Sequence, residues 1–136
     1  MPSRAARLPV PCPCGLPAAY ADCCGALHQG RAQAVTAEQL MRSRYAAFAV
    51  RDTGYLLRSW HSTTRPRELD PGRDVRWTDL DILGSTGGSA FHTEGTVEFR
   101  ARYRHRGGEG VQHEDSRFVR EDGLWVYVGE AGRPGR

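Results

Sequence analysis

Two hydrophobic periods divide the chain. Between residues 37 and 60 the apolar positions return every third or fourth place; from 75 onward they return every second place. The first spacing belongs to helices lying on a core and the second to strands with one buried face. Leu40, Met41, Tyr45 and Phe48 carry the helical period, and Thr36-Ala37-Glu38-Gln39 ahead of them reads as a capping box, with Thr36 as N-cap and Gln39 at the third helical position. The spacing predicts an amphipathic helix over Ala37–Val50. Asp52 is placed to cap a second helix running to about Ser59 or Trp60, burying Leu56, Leu57 and Trp60. Two prolines and a glycine between Ser62 and Arg73 predict a loop there.

In the second half Val75 and Trp77 alternate, then Leu80 and Ile82, and the slip between the pairs predicts a β-bulge. Gly84–Ser89, GSTGGS, reads as a flexible connection. Thr93–Arg106 alternates cleanly: Gly95, Val97, Phe99, Ala101 and Tyr103 share one face, while Thr96, Glu98, Arg100, Arg102 and Arg104 share the other. Glycines 107, 108 and 110 predict a turn into a strand over Val111–Glu121, and Asp122-Gly123 a hairpin into Leu124–Gly129. Helices followed by antiparallel strands describe an α+β domain, with Phe48, Trp60, Trp77 and Phe99 expected in one core.

Composition narrows the class. A chain of 136 residues, 39% hydrophobic and 26% charged, is that of an ordinary globular domain that needs no disulfides to fold. No apolar run approaches the roughly 20 residues that cross a bilayer, and the basic start MPSRAARLPVP lacks the apolar core of a secretory signal. A cytoplasmic setting, where thiols stay reduced, is therefore expected. All 19 basic residues are arginine, and the net charge is +3. That balance permits an anionic partner without requiring one.

The chemistry concentrates in CPCGLPAAYADCCG, Cys12–Gly25, which holds all four cysteines. Cys12 and Cys14 are separated by one residue, and eight more lead to the adjacent Cys23 and Cys24. Pro11 and Pro13 hold the first pair extended, Gly15 turns the chain after it, and Gly25 is placed to end a short helical turn around Tyr20–Cys24. Reduced, clustered thiols favour a closed four-thiolate site for one structural Zn2+ over disulfides, free thiols or another metal. His28 lies four residues beyond Cys24; with four sulfurs at hand it reads as a surface or core histidine.

Cys-Pro-Cys-Gly followed by Cys-Cys-Gly resembles the SEC-C motif, the zinc-binding tail element of the SecA translocase. The longer string from Cys12 to "STTRP", with "VRW", "TEGTVEFRARYR" and "SRFVREDGLWVYV", resembles the bacterial YchJ-type SEC-C proteins over nearly the whole chain. The resemblance implies a zinc knuckle over 1–30, a nuclear transport factor two-like cone over 31–129, in which N-terminal helices pack in a curved antiparallel sheet, and a flexible tail over 130–136. It carries no reaction with it. One departure is plain: the usual Gly-Ser-Gly and its basic followers are replaced by Gly15-Leu16-Pro17 and Ala18-Ala19-Tyr20-Ala21-Asp22, which removes positive charge from the knuckle.

A cone of this kind often encloses a pocket, for which the candidate residues are Trp60, His61, Trp77, His92, Glu98, Asp115 and Arg117. Trp60-His61 matches the family's "WH" at a helix end, where His61 is expected to cap the helix and hydrogen-bond a carbonyl. Arg100, Arg102 and Arg104 form a candidate anion-binding row, spaced about 6.6–6.8 Å like neighbouring phosphates, though a solvated face paired with Glu98, Glu114 or Asp115 needs no partner. The sequence thus reads as a zinc-binding cytoplasmic accessory or adaptor protein with the knuckle as docking element for a protein partner. The alternatives are an enzyme or small-ligand binder using the cone pocket, and an RNA- or ribosome-associated protein.

Overall fold

The computed structural model describes residues 10–70, 72 and 74–131. Residues 1–9 of the expected knuckle segment, 71 and 73 of the expected loop and 132–136 of the expected tail lie outside the described residues. The knuckle comprises a 3-10 turn, Tyr20–Asp22, and helix α1, Cys24–His28. Expected to end a turn, Gly25 instead lies within α1. The reason is room: a Cβ there would stand 2.6 Å from the carbonyl oxygen of Tyr20.

Helix α2 spans Ala37–Val50, as its apolar spacing predicts. Thr36 Oγ1 accepts from the Gln39 amide at 3.0 Å, and Gln39 Oε1 accepts from the Val35 amide at 2.7 Å, one residue beyond the amide that a capping box supplies. Thr36→Ala is expected to destabilise the protein by about 1 kcal/mol. An unchanged denaturant midpoint would show that the cap contributes nothing. Arg51, in the left-handed region at φ 63°, turns the chain to Asp52, whose Oδ1 accepts from the Tyr55 amide at 3.0 Å and starts helix α3, Thr53–Arg58. The helix stops short of Ser59. Leu56 is buried as expected, but Leu57 and Trp60 are only half-buried, and Tyr55 takes the inward place.

Strands β1 (Arg76–Gly87), β2 (Glu94–His105), β3 (Gly108–Glu121) and β4 (Leu124–Glu130) form one antiparallel sheet in chain order. The expected bulge falls between Trp77 and Asp79, and a second register shift follows between Ile82 and Gly84. The GSTGGS segment is not a free connection. Its first four residues continue β1 opposite Gly95–Glu98, the Thr86 and Thr96 hydroxyls meet at 2.6 Å, and the Gly88 carbonyl accepts from the amide of Ala37 at 2.9 Å. Cross-strand pairing and a helix N-terminus thus occupy backbone that composition alone leaves loose. Strand β3 begins three residues before the expected Val111, as Gly108 and Gly110 pair with His105 and Tyr103. Asp122 and Gly123 have φ of 55° and 84°, the pair of left-handed residues that a tight type I′ hairpin demands.

Helix α2 lies against the sheet's inner face, where Val97, Phe99, Ala101 and Phe118 meet Leu40, Met41, Tyr45 and Ala47. Of the four aromatic residues expected in the core only Phe99 is buried; Phe48, Trp60 and Trp77 are half-buried because they border a cavity. The opposite side of α2 carries a second cluster, Ala46 with Cys12, Cys14 and Cys24. One helix therefore serves both halves of the molecule.

Candidate metal centre and the cone cavity

The chain makes the knuckle by folding back on itself. Tyr20 N donates to Val10 O at 2.7 Å and Cys12 N to Ala18 O at 3.0 Å, while Gly15 N closes a turn on Cys12 O at 3.2 Å. Cys23 precedes α1 and Cys24 begins it, so two adjacent residues with different backbone conformations deliver their sulfurs to one place. The Sγ atoms of Cys12, Cys14, Cys23 and Cys24 all lie within 4.8 Å of one another. Cys14 and Cys23 are 3.7 Å apart, far beyond the roughly 2.05 Å of a disulfide, and all four thiols are free.

Crowding splits their acidity. Hydrogen bonding from Cys24 pulls the Cys14 thiol down to about 5 against the opposing effect of burial. Burial, then the bond to Cys14, pushes Cys23 up to about 11, and Cys24 is raised by its bond to Cys14 and by burial. Four thiols gathered in one place take up a divalent cation by giving up their protons to it. These cysteines form a set that can hold a metal ion.

The centre is fastened to the domain by side chains outside it. Arg42 donates to the Cys14 carbonyl at 2.8 Å. His28, buried, places Nε2 at 2.8 Å from the Ser43 carbonyl and Nδ1 at 2.6 Å from the Tyr20 hydroxyl. Since a carbonyl only accepts, Nε2 carries the proton, and in the neutral ring Nδ1 accepts from Tyr20. His28 is a core histidine that ties knuckle to helix.

Between α2, Trp60 just beyond α3, and the sheet lies a cavity of about 190 Å³. Trp60 and Trp77 border it together with Tyr45, Phe48 and Phe99; Arg44, Gln112, Glu114, Ser116 and Tyr127 are its polar members. Arg44 is 5% exposed, and burial lowers its pKa to about 10. Its guanidinium carbon stands 4.9 Å from the Trp60 ring centre and 4.7 Å from that of Tyr127, while Nη1 donates to Leu56 O at 2.8 Å and Ser59 Oγ at 2.6 Å. Glu114 Oε2 accepts from Ser116 Oγ at 2.7 Å and from the Tyr127 hydroxyl at 2.8 Å.

Several candidate pocket residues lie elsewhere. Register decides it: Glu98 faces Asp115 across β2 and β3, on the outer side, whereas Phe99 faces Glu114 on the inner side. Glu98 pairs with His113 at 2.7 Å and Arg117 lies 3.5 Å from Glu94, both among exposed groups. His92 Nδ1 is 2.7 Å from Ser89 Oγ at the β1–β2 turn. His61 does not cap α3. Its backbone amide donates to Tyr127 O at 2.8 Å, its Nδ1 accepts from the Thr63 amide at 3.1 Å, and Nε2 lies 3.8 Å from Glu121.

Arg44 and Tyr127 are not singled out by the sequence. Glu114, expected as an acid paired with the arginines on the solvated face, turns inward to Tyr127 because it stands opposite Phe99. A signal existed for Arg44. Arg44 stands in the apolar stripe of α2, four residues after Leu40 and four before Phe48, where a charge has no solvent to reach.

The arginine row lies on the outer face among acids. Arg102 is 3.8 Å from Asp81, Arg104 2.9 Å from Glu109 and Arg106 3.0 Å from Asp74, while Arg100 stands in register between Asp81 and His113.

Residues 36–130, from the α2 N-cap to the end of β4, match the family described as YchJ, middle NTF2-like domain. This chain belongs to the YchJ family. Its relatives include a UPF0225 protein of Streptomyces avermitilis, 58% identical over 120 residues that cover 88% of this chain and 83% of the relative, and a UPF0225 protein of Streptomyces coelicolor, 58% identical over 87% of this chain and 92% of the relative. The solution structure of a SEC-C motif containing protein from Rhodopseudomonas palustris superposes with a TM-score of 0.75 at 35% identity, covering 86% of this chain and 94% of that one. A crystal structure of a SEC-C motif containing protein from Psychrobacter arcticus gives 0.72 at 27% identity, over 86% and 79%. This YchJ chain accordingly carries an NTF2-like domain beside a SEC-C type cysteine cluster. Among the described residues no helix is long and apolar enough to cross a membrane.

Proposed function

We propose that this chain is a cytoplasmic accessory protein whose knuckle, closed by one structural zinc ion, docks another protein. The observation that carries the reading is the convergence of the four sulfurs. Tetrahedral zinc with legs of about 2.3 Å requires sulfurs about 3.8 Å apart, and Cys14 and Cys23 already stand at 3.7 Å. Four thiolates leave no coordination position for water or substrate, so the metal's role is to hold shape. On the outside of that shape Gly15, Leu16, Pro17 and Ala18 are exposed, as are Val10 and Pro11. The strip is apolar and uncharged, which suits a protein surface better than a phosphate backbone. On the sheet, the acids among the arginines favour a solvated face over a nucleic-acid track.

Cross-linking of the zinc-loaded full chain in cells, read by mass spectrometry, tests this. Leu16→Asp supplies no ligand change, so zinc content is expected to stay at one per chain while the protein cross-links disappear. Arg100→Ala with Arg102→Ala is expected to leave them in place. Protein cross-links that survive Leu16→Asp would overturn the docking role. Sub-micromolar RNA binding at physiological salt, tighter than the usual nonspecific range of about 10⁻⁴–10⁻⁶ M and lost in the double arginine variant, would move the function to the sheet.

A further inference from the structure

We propose that the cone cavity is a binding site for a small organic monocarboxylate with a single-ring or similarly compact apolar body. The proposal is independent of the metal and of the knuckle's partner.

The cavity has a surplus of hydrogen-bond donors over acceptors. Arg44 is a buried cation with no carboxylate within ion-pair distance among the described residues, and only its Nη1 is engaged, leaving Nε and Nη2 without acceptors. The indole N–H groups of Trp60 and Trp77, on rings that wall the cavity, are buried without an acceptor. Folded proteins rarely leave such groups uncompensated. Glu114 does not offset the surplus. Its Oε2 takes two hydroxyls, from Ser116 and Tyr127, and its Oε1 faces Gln112 Nε2 at 3.4 Å.

What Arg44 lacks is an acceptor on its fork. The Glu114 carboxylate on the same wall acts on it only through its charge and is taken up by Ser116, Tyr127 and Gln112. A guanidinium fork matches a carboxylate in two-point fashion. The one buried cation already feels the charge of Glu114, so it can meet at most one further negative charge and a dianion is excluded. The rest of the wall is aromatic, with Phe48, Tyr45 and Phe99 beside the two tryptophans. Size sets the body: a cavity of about 150 Å³ holds benzene, so about 190 Å³ accommodates a ring bearing one carboxylate.

The test uses benzoate as probe and benzyl alcohol, which keeps the ring without the charge, as control. Both are titrated at neutral pH into the zinc-loaded full chain and followed by the indole N–H resonances of its three tryptophans. Benzoate is expected to shift Trp60 and Trp77 and to leave Trp125, which donates to Val35 O at 3.0 Å outside the cavity. It is expected to bind at least about tenfold tighter than benzyl alcohol, the margin of one charge-assisted hydrogen bond. Arg44→Met is expected to erase that preference. Because Arg44 also holds Leu56 and Ser59, a second variant, Ala101→Leu, narrows the cavity from the β2 side with Arg44 in place and is expected to abolish the benzoate response. No shift of either indole at millimolar benzoate, equal affinity for the alcohol, or an undiminished response in Ala101→Leu each overturns the proposal.

Discussion

Cys14→Ser is expected to deprive the knuckle of the proposed metal and to free residues 10–24 from helix α2, while the sheet and Leu27 packed in its core stay folded. Cys14 is the most buried of the four cysteines, at 0% exposure, and is hydrogen-bonded to its fellow thiols. Binding of a structural zinc by peptides that fold around it is worth about 10–16 kcal/mol at neutral pH, and a site reduced to three thiolates forfeits much of that. The damage should stay local because the two apolar clusters are separate: Cys12, Cys14 and Cys24 gather on Ala46, whereas the sheet's core is built on Leu56, Val97 and Phe118. Elemental analysis should find one zinc per wild-type chain and much less in the variant. Hydrogen exchange should show protection lost around Cys12–Cys24 and retained in β2 and β3. An unmodified wild-type protein that is fully folded, with free thiols and no zinc, would refute both the metal and this division of labour.

The same two clusters mark how far the sequence can be read. Short-range rules were sufficient wherever a feature is settled by residues a few places apart: the Thr36 cap, the Asp52 cap, the Asp122-Gly123 turn, and the inward set Gly95 to Ala101 on β2. They failed where strands meet. On β3 the stretch Gln112–Arg117 is polar at every position, so nothing local distinguishes the inward Glu114 from the outward Asp115. The pairing of Phe99 with Glu114 sets the phase, and Tyr127, from another strand, joins Ser116 in making an inward carboxylate tolerable. GSTGGS failed for a related reason, since its order comes from Thr96 and Ala37 rather than from its own composition. At Gly25 the requirement for glycine comes from the Tyr20 carbonyl, which leaves no room for a Cβ, rather than from a turn. The four cysteines, by contrast, stand within a stretch of 13 residues, and their convergence needed no tertiary information to be expected.

Phe118→Ala is expected to be the more damaging of two core truncations, with Phe99→Ala the milder. Phe118 is the largest of the fully buried side chains, at 0% exposure, and touches Tyr127 with ring centres 5.8 Å apart. Removing a phenyl ring from such a place costs about 3–5 kcal/mol, because the lost transfer energy is compounded by the hole left behind. Phe99 is buried too, yet one side of its ring already borders the cone cavity. Fewer contacts are lost there, and the new space merges with old, so its cost should fall toward the low end of the same range. Urea unfolding followed by both fluorescence and circular dichroism gives the comparison, with an unchanged slope required before midpoints are converted to energies. A cost under about 0.5 kcal/mol for Phe99→Ala would place that ring at the surface, contradicting the facing of β2 on which the cavity is built. A larger loss for Phe99 than for Phe118 would mean that the cavity is closed around Phe99 in solution, with no space on that side of the ring for a ligand.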